Sequence, residues 1–533
     1  MTDPILIVGA GPTGLTAALE LSRLGLPVRL VDRRAGPAAT SRAVGIQART
    51  LELMEQRGLA QAMEQLGHPT RYGSIHGGGA RLLRLDFGRI RSRYPHLLLL
   101  SQVETERLLR EALAARGVRP EWGTELVAFA QDPHAATPVT PAPVTGVLAL
   151  PDGGLERVAA SWLIAAEGAH SLVRTTLDLG FEGKTLAEQY LLGDLHLESE
   201  LPGSDFHIFS GEHGFLGLFP LGGDHFRLLA SHPLSGPAQG DAPSLAELQR
   251  IYDQRSHIPG RLHDLSWSSW FKINSRMVPR LRVGHLLLGG DSAHIHSPAG
   301  GQGMNTGIQD MINLAWKLAL VVRGQAPPAL LDSYGQDRLP VMRDVLSRSE
   351  RMTRLVDADS PLVHTLFNHL APWVGGMAFL QENAINRMAQ LAIDYRHGPL
   401  AEDHAPAGTV RGGDRVPELT VRRRDRGEAG WTTARLLTLL DPSGFVLLVA
   451  HGDERAALDP RLAPALAGAS VPIPIVELAP AAEDHDQAYA SELGTASGVL
   501  LVRPDGYVAV AAGAHAAPAA LAAFVGKWLT AGG

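Results

Sequence analysis

"ILIVGAGPTGLTAALELSRLG" occupies Ile5 to Gly25. Ile5 to Val8 are apolar and read as a buried strand. Gly9, Gly11 and Gly14 follow, with Pro12 and Thr13 between the second and third. Leu15, Ala18, Leu19 and Ser22 then share one helical face, and Gly25 stops the helix. Val28 to Val31 read as a second strand that ends at Asp32. Each glycine has a task in this strand–turn–helix unit. One makes the tight turn, one lets backbone approach a pyrophosphate, and one lets helix and strand pack closely. Amides at the helix start meet phosphate charge. Asp32 stands near the spacing expected of an acid that binds a ribose hydroxyl, and Arg33 beside it joins the cofactor-binding set. An acid there disfavours a 2′-phosphate, so the unit suits FAD or NAD better than NADP.

The bulk properties narrow the classes. A chain of 533 residues suggests two to four domains, and 45% apolar residues suffice for sizeable cores. A net charge of −7 argues against a nucleic-acid surface or a polybasic membrane surface. Cysteine is absent, which excludes disulfides, thiolate metal sites and cysteine nucleophiles, and fits a reducing, cytoplasmic setting. The first apolar run is short and lacks a basic flank, so a secretory signal is not expected. No stretch approaches the length of a bilayer span.

A second stretch separates FAD from NAD. "GHLLLGGDSAHIHSPAGGQGMNTGIQDMINLAWKLALVVRG" runs from Gly284 to Gly324. Leu286 to Leu288 read as a strand, followed by Gly290, Asp291 and a glycine-rich turn around Pro298, Gly300, Gly301 and Gly303. A helix follows, with Ile308, Met311, Ala315, Leu318 and Val322 on one face and Lys317 and Arg323 near its end. An NAD dehydrogenase does not need this second unit. A flavoprotein can use it, because a helix N-terminus stabilises negative charge on a reduced flavin by up to about 2 kcal/mol. Asp291 can accept a bond from a ribityl hydroxyl.

With these motifs the chain resembles the class A FAD-dependent aromatic monooxygenases, the para-hydroxybenzoate hydroxylase family. Within that family it is similar to the aromatic polyketide, phenol and hydroxyphenylpropionate hydroxylases. "GAGPTG" matches the first FAD motif. "GGDSAHIHSPAGGQGMNTGIQD" matches the Gly-Asp motif, and "LIAAEGAHSLVR", Leu163 to Arg174, matches the middle motif. "SRAVGIQARTLELM" from Ser41 and "LSQVETERLL" from Leu100 are lesser matches. The likeness spans roughly residues 1 to 395.

The resemblance implies FAD as cofactor, NAD(P)H as reductant and O2 as co-substrate. It implies hydroxylation of a phenolic or polycyclic aromatic through a flavin hydroperoxide, without a separate Rossmann domain for the nicotinamide. By it, Asp32 would bind the adenosine ribose, Arg42 and Gln102 the flavin nucleotide, and Asp291 the ribityl chain. Gly303, Met304 and Asn305 would cradle the pyrimidine edge, with Pro298 beside the flavin where oxygen reacts. Glu167 and Gly168 belong to the middle motif, where the family usually has aspartate at the first position. Val44 stands where phenol hydroxylases often carry an aspartate base. The substrate would then ionise by other help, or be electron-rich enough to need none.

The implied fold is α/β. A Rossmann-like FAD-binding domain takes residues 1–70, 100–180 and 276–397, and an inserted antiparallel-sheet substrate domain takes 71–99 and 181–275. A thioredoxin-like C-terminal domain without cysteines takes 410–533. "LSWSSWFKI" places Leu265, Trp267, Ser269, Phe271 and Ile273 on one strand face. Val44, Phe215 and Pro298 are candidate substrate-lining residues, and His207, His213, His225 and Arg227 are candidate pocket groups that also read as surface or structural residues. His294 and His296 could suggest a metal pair, but a structural site needs four ligands and the motif already explains the stretch, so no metal is expected. "DPHAATPVTPAPVTG" reads as a loop between strands. "GFVLLVA" and "GVLLVRPDGYVAVAA" read as strands, the latter pair joined by a Pro-Asp-Gly turn, and a final helix turns Leu521, Phe524, Val525, Trp528 and Leu529 inward. This tail is expected to have a structural or oligomeric role, with a homodimer as the assembly. A flavin halogenase is the alternative enzyme, disfavoured because "WSSWFKI" lacks the Trp-x-Trp-x-Ile-Pro spacing. A catalytically silent FAD-binding module is the alternative outside catalysis.

Asp32→Ala removes a charge-assisted bond of about 1.5–3 kcal/mol. The expected result is a cofactor dissociation constant raised about ten- to hundredfold. Titration of the apoprotein with FAD checks it, and an unchanged constant would refute the assignment.

Overall fold

The computed structural model describes the chain except residues 1–2, 41–42, 132–143, 212, 234–241, 297–300, 357–377, 406–408, 429, 482–487, 495–497 and 532–533. The readings on Arg42, Pro298 and the Pro/Thr/Ala-rich loop lie outside the described residues.

Strand Ile5–Val8 enters the centre of a six-stranded sheet. It pairs in parallel with Val28–Asp32 on one side and Trp162–Ala165 on the other, and the latter pairs in parallel with Leu286–Leu288. Ile5–Val8, Trp162–Ala165 and Leu286–Leu288 are buried throughout and so read as unbroken apolar runs, whereas Val28–Asp32 is half-buried at Val28 and Arg29 and ends in an acid. Helix Pro12–Arg23 follows the first strand with proline in its first turn. A Cβ on Gly14 would stand 1.7 Å from the Gly9 carbonyl oxygen, so only glycine lets the helix start this close to the strand. Edge strand Arg282–Val283 pairs antiparallel with Leu286–Leu288.

Eight strands form a second sheet from His294–Ile295 at one edge to Ala80–Asp86 at the other. Its centre is Glu182–Ser199, paired antiparallel with Gly260–Met277 and His225–Pro233. The expectation of an all-antiparallel sheet needs one correction. Asp205–Gly211 runs parallel to Tyr72–Gly77. Hairpins force antiparallel neighbours, and no hairpin joins strands this far apart in sequence. The sheet turns Ile75, Phe206, Ile208 and Leu229 to one side. On its other side Phe209, Leu216, Leu228 and helix Leu245–Arg255 make a separate core.

The C-terminal part is a seven-stranded mixed sheet with helices Leu462–Leu466, Ala488–Leu493 and Ala517–Trp528. Val446–Ala450, Gly498–Val502 and Val508–Gly513 are three of its five inner strands, and Leu521, Phe524, Val525, Trp528 and Leu529 are all buried. Gly506, at φ +77°, closes the Pro-Asp-Gly turn.

The long helix Gly303–Val322 departs from the amphipathic reading. Every residue from Asn305 to Val321 is buried, not one face alone. Helix Pro12–Arg23 covers one side, and Phe445 of the C-terminal sheet meets Trp316 edge-on at 5.5 Å on another. Lys317 is therefore wholly buried, and its ammonium lies 2.7 Å from Asp337. Asp337 also accepts from Arg503 at 2.9 Å and from Asn313 at 3.1 Å. Asp505 accepts from Arg503 and from Asn313, and its carbonyl accepts from Arg49 at 2.8 Å. The Arg503–Gly506 turn is thus a charged plug seated against the long helix. Among the described residues, no helix is long and apolar enough to cross a membrane.

Asp337→Ala leaves Lys317 and Arg503 buried with one carboxylate fewer. It is expected to cost about 3–5 kcal/mol. Asp332→Ala, which breaks the half-exposed pair with Arg282, is expected to cost under about 1 kcal/mol. Denaturant midpoints of the two variants check the contrast, and equal midpoints would overturn it.

Candidate active site

Chain direction decides where the motifs meet. Ile5–Val8, Trp162–Ala165 and Leu286–Leu288 are parallel neighbours, so the loops after Val8, Ala165 and Leu288 all leave the carboxyl edge of one sheet. Ligands of open α/β sheets bind at that edge. A cavity of about 1700 Å³ lies there. Gly9, Gly11, Pro12, Thr13, Asp32 and Arg33 line it from the first motif, and Glu167 and Gly168 from the middle one. Asp291, Gly301, Gly303 and Met304 line it from the third, and Gln102 from the helix Gln102–Ala114. Gly14, Gly290 and Asn305 do not line it. A Cβ on Gly290 would stand 2.3 Å from the Thr13 hydroxyl, so this glycine lets the first and third motifs touch.

Two helices begin at the cavity wall, Pro12–Arg23 and Gly303–Val322. Neither has a side-chain cap or an acidic residue in its first turn. Their N-terminal partial charges are left for an anion. A Cβ on Gly11 or on Gly168 would meet nothing within 4 Å, so backbone is bared to open space where a ligand can approach. The donors and the room suit a dinucleotide.

Asp32 accepts from the Ala10 amide at 2.7 Å and from Arg34 at 2.8–3.0 Å. Burial alone would raise its carboxyl, but the bonds from Arg34 and Ala10 outweigh that and hold it below its ordinary value. It stays ionised, as an acceptor must. Glu167 turns back onto its own loop, accepting from Ser171 at 2.5 Å and from the Leu172 amide at 3.0 Å. Burial raises its carboxyl. Its extra methylene is thus spent on capping the next helical turn. Ser292 ties the third motif to the middle one, its hydroxyl accepting from the Gly168 amide at 3.1 Å and its carbonyl from Arg174 at 3.1 Å. Gln102 donates to Glu106 at 2.8 Å.

The cavity continues under the eight-stranded sheet, where Tyr190, Phe206, Phe215, Phe219, Trp267 and Phe271 wall it. Val44 lines it too, bringing no carboxylate. Of the four polar candidates, Arg227 alone is in the wall. It is 3% exposed and bound in two-pronged fashion to Asp194, both contacts 2.7 Å. His207 faces the other side of the sheet, 3.2 Å from His76 and 3.1 Å from the Pro202 carbonyl. His225 stacks on His196 at the strand end, and His213 is exposed beside a hairpin.

Residues 2–349 match the FAD binding domain family, and residues 409–532 the C-terminal domain of aromatic-ring hydroxylases. The 6-methylpretetramide 4-monooxygenase of Streptomyces rimosus is 36% identical over 526 residues, 95% of this chain and 90% of that protein. The chain belongs to the FAD-dependent aromatic-ring hydroxylases. The pentachlorophenol 4-monooxygenase of Sphingobium chlorophenolicum is 33% identical over 79% of this chain and 77% of its own. The anhydrotetracycline hydroxylase OxyS of Streptomyces rimosus superposes with a TM-score of 0.79 at 29% identity, each chain covered completely. The hydroxylase is accordingly an α/β flavoprotein monooxygenase that uses FAD, a reduced nicotinamide nucleotide and O2.

The hydroxylase supports its third motif from beneath with residues that sequence reading did not single out. Asp310, wholly buried one helical turn past Asn305, accepts from the Gly290 amide at 3.1 Å and binds His294 at 2.7 Å. Arg338 donates to its other oxygen at 2.8 Å and to the Tyr395 hydroxyl at 3.0 Å. His294 is therefore engaged by a carboxylate, and its ring lies parallel to that of His296 with centroids 6.5 Å apart. Asn305 acts as a clamp behind the wall. Its carbonyl accepts from the Gln47 amide at 2.9 Å, and its amide donates to the Gly45 and Gly301 carbonyls at 2.8 and 2.9 Å. The residues 28 and 85 positions away from Asp310 had no local signal in the sequence.

Burial alone would raise the Asp310 carboxyl, but Arg338 and His294 outweigh it and hold the group below its ordinary value. Its folded value lies under its unfolded one. Its stabilisation is therefore complete above about pH 4 and lost as pH falls through the folded value. Asp310→Asn is expected to cost about 3–5 kcal/mol at neutral pH, because Arg338 stays buried without its carboxylate. Urea unfolding at pH 7 and in mild acid checks both statements: the gap between wild type and variant should narrow in acid, and a constant gap would overturn the account.

Proposed function

We propose that the cavity holds one FAD across the two helix starts and presents it to a polycyclic phenol of polyketide type, which the enzyme hydroxylates. The observation that carries this reading is continuity. The dinucleotide end and the aromatic-walled end are one cavity, and its 1700 Å³ exceeds the roughly 300–1,000 Å³ of a pocket for one small ligand. Relatives named for pretetramide and anhydrotetracycline substrates support the polycyclic class.

On this reading the Pro12–Arg23 helix start binds the pyrophosphate, Asp32 the adenosine ribose, and Asp291 the ribityl chain. Backbone at Gly303 and Met304 meets the pyrimidine edge, while Asn305 keeps the Gly301 turn in place. Arg33 and Gln102 flank the nucleotide, and Glu167 orders the turn beside it. When bound, reduced FAD would supply the electrons that activate dioxygen, and O2 would supply the electrophilic oxygen atom. Protein groups supply the rest. Phe206, Phe215, Phe219 and Trp267 orient a flat ring system and keep water from it. Arg227, fixed by Asp194, places a cation where a substrate oxygen can lie. It favours the ionised phenol or enol that Val44 cannot generate as a base. On the same reading the chain divides into a Rossmann-like FAD unit, an inserted substrate sheet and a cysteine-free thioredoxin-like tail, and the Arg503–Gly506 turn of that tail braces the long helix.

Phenols and polycyclic aromatics screened for faster NAD(P)H oxidation, with product mass measured, test the proposal. The expected product gains sixteen mass units per turnover, carrying label from isotopic oxygen gas. Label from water, or halide incorporation in its place, would overturn it.

A further inference from the structure

Beyond the flavin and the aromatic wall, the same cavity has a third surface. Lys272 and Arg276 reach it from strand Gly260–Met277, Arg348 and Arg351 from helix Asp332–Val356, and Arg387 from helix Ala378–Met388. Five cations from three separate elements thus line one cavity, and Arg351 and Arg387 stand close enough to Arg348 to repel it. Arg348 pairs with Asp344 on its own helix, and the nearby Glu350 is paired with Lys184 at 2.8 Å. Among the described residues, no carboxylate comes within ion-pair distance of Lys272, Arg276, Arg351 or Arg387. Among the described residues, Arg276 donates to the Thr185 hydroxyl at 3.2 Å, and its Nε is buried without a hydrogen-bond partner, as is that of Arg348. Burial pushes the Arg348 guanidinium down, and repulsion from Arg387 and Arg351 pushes it further. Gathering like charges with so little compensation costs stability, and an anionic ligand would relieve that cost.

Four of the five cations are arginines, whose forked donors match phosphate oxygens two at a time. The reading of this protein as a flavin hydroxylase, on which this inference rests, requires a hydride donor that carries a diphosphate. The glycine-rich turn at Gly9–Gly14 and that at Gly301–Gly303 serve the flavin in that reading, so neither is left for a second nucleotide. We propose that the cluster of Lys272, Arg276, Arg348, Arg351 and Arg387 is the docking site for the phosphates of the reduced nicotinamide nucleotide. The cations hold its phosphates at the rim, and the nicotinamide end enters the cavity toward the flavin.

The test uses the FAD-loaded full chain and the double variant Arg351→Glu/Arg387→Glu. Both side chains are exposed, so folding and flavin content should be retained. Flavin reduction is followed by stopped flow against NADPH and NADH concentration. Binding of NADP+ and NAD+ is measured by calorimetry at several salt concentrations. The double variant should need about tenfold or more nucleotide for half-maximal reduction, with an unchanged limiting rate. Its binding of oxidised nucleotide should weaken in parallel and depend less on salt, and Arg351→Lys/Arg387→Lys should recover most of the loss. If nucleotide constants stay put and the aromatic substrate's KM rises instead, the anion is a substrate carboxylate and the proposal is overturned. If neither moves, the cluster is no site. Wild-type protein that holds FAD yet is reduced by neither nucleotide would sink the reading of function itself.

Discussion

The parallel pairing of Trp162–Ala165 between Ile5–Val8 and Leu286–Leu288 is the constraint on which the site depends. Three segments separated by well over a hundred residues each reach the same sheet edge only because their strands run the same way. A register slip of one residue would turn each apolar run over, and reversing any strand would send its loop to the far edge. The buried runs tolerate neither, since both faces are covered. Glycine at 290 then lets the third loop close on Thr13, and Ser292 ties it to Gly168. The cavity is thus bounded by backbone held on strands, which positions a ligand more firmly than free loops could.

Beneath that edge the structure invests in buried charge. Asp310, Arg338 and Tyr395 form one network, and Lys317, Asp337, Arg503 and Asp505 another, on the same long helix. Buried ion pairs add little stability compared with apolar packing, but they penalise any arrangement that leaves one member alone. A helix buried all round by apolar contacts could slide or rotate at modest cost. These pairs instead fix its rotation and its height, and so fix where Gly303 and Met304 sit in the cavity wall.

What was legible in the sequence follows the range of the interactions. The first strand–turn–helix unit is local: Gly9, Gly14 and Asp32 are set by spacing, and each stands where the spacing predicts. The aromatic strand faces were half legible. Trp267 and Phe271 do face the cavity, but bulges between Asp194 and His196 and between Thr185 and Gln189 break the alternation along the partner strand. Which face carried His207 and which Ile208 was decided by pairing with Tyr72–Gly77, more than a hundred residues away. The long helix misled for the same reason. Its apolar face was evident, but the Arg503–Gly506 turn and Phe445 that bury its polar residues come from the other end of the chain. Asn305 belonged to a motif, yet its amide serves backbone carbonyls at Gly45 and Gly301, and no spacing reveals that.

The charge distribution along the cavity gives the remaining step. At the dinucleotide end the partial charges are those of amides and helix starts, with Asp32 and Asp291 as acceptors. In the middle the wall is aromatic, and its charge is a single guanidinium neutralised by Asp194. At the rim the cations have few acids to balance them. The Arg227 guanidinium is paired with Asp194, which cancels most of its long-range field, so it acts at contact distance and not by drawing a charged group from afar. A polyanion outside feels the rim first, since unbalanced charge acts over about a Debye length in physiological salt. Paired charge therefore selects by contact, and unpaired charge by approach. One cavity can in this way admit a highly charged reductant and a nearly neutral ring system from the same solvent and keep them in separate places.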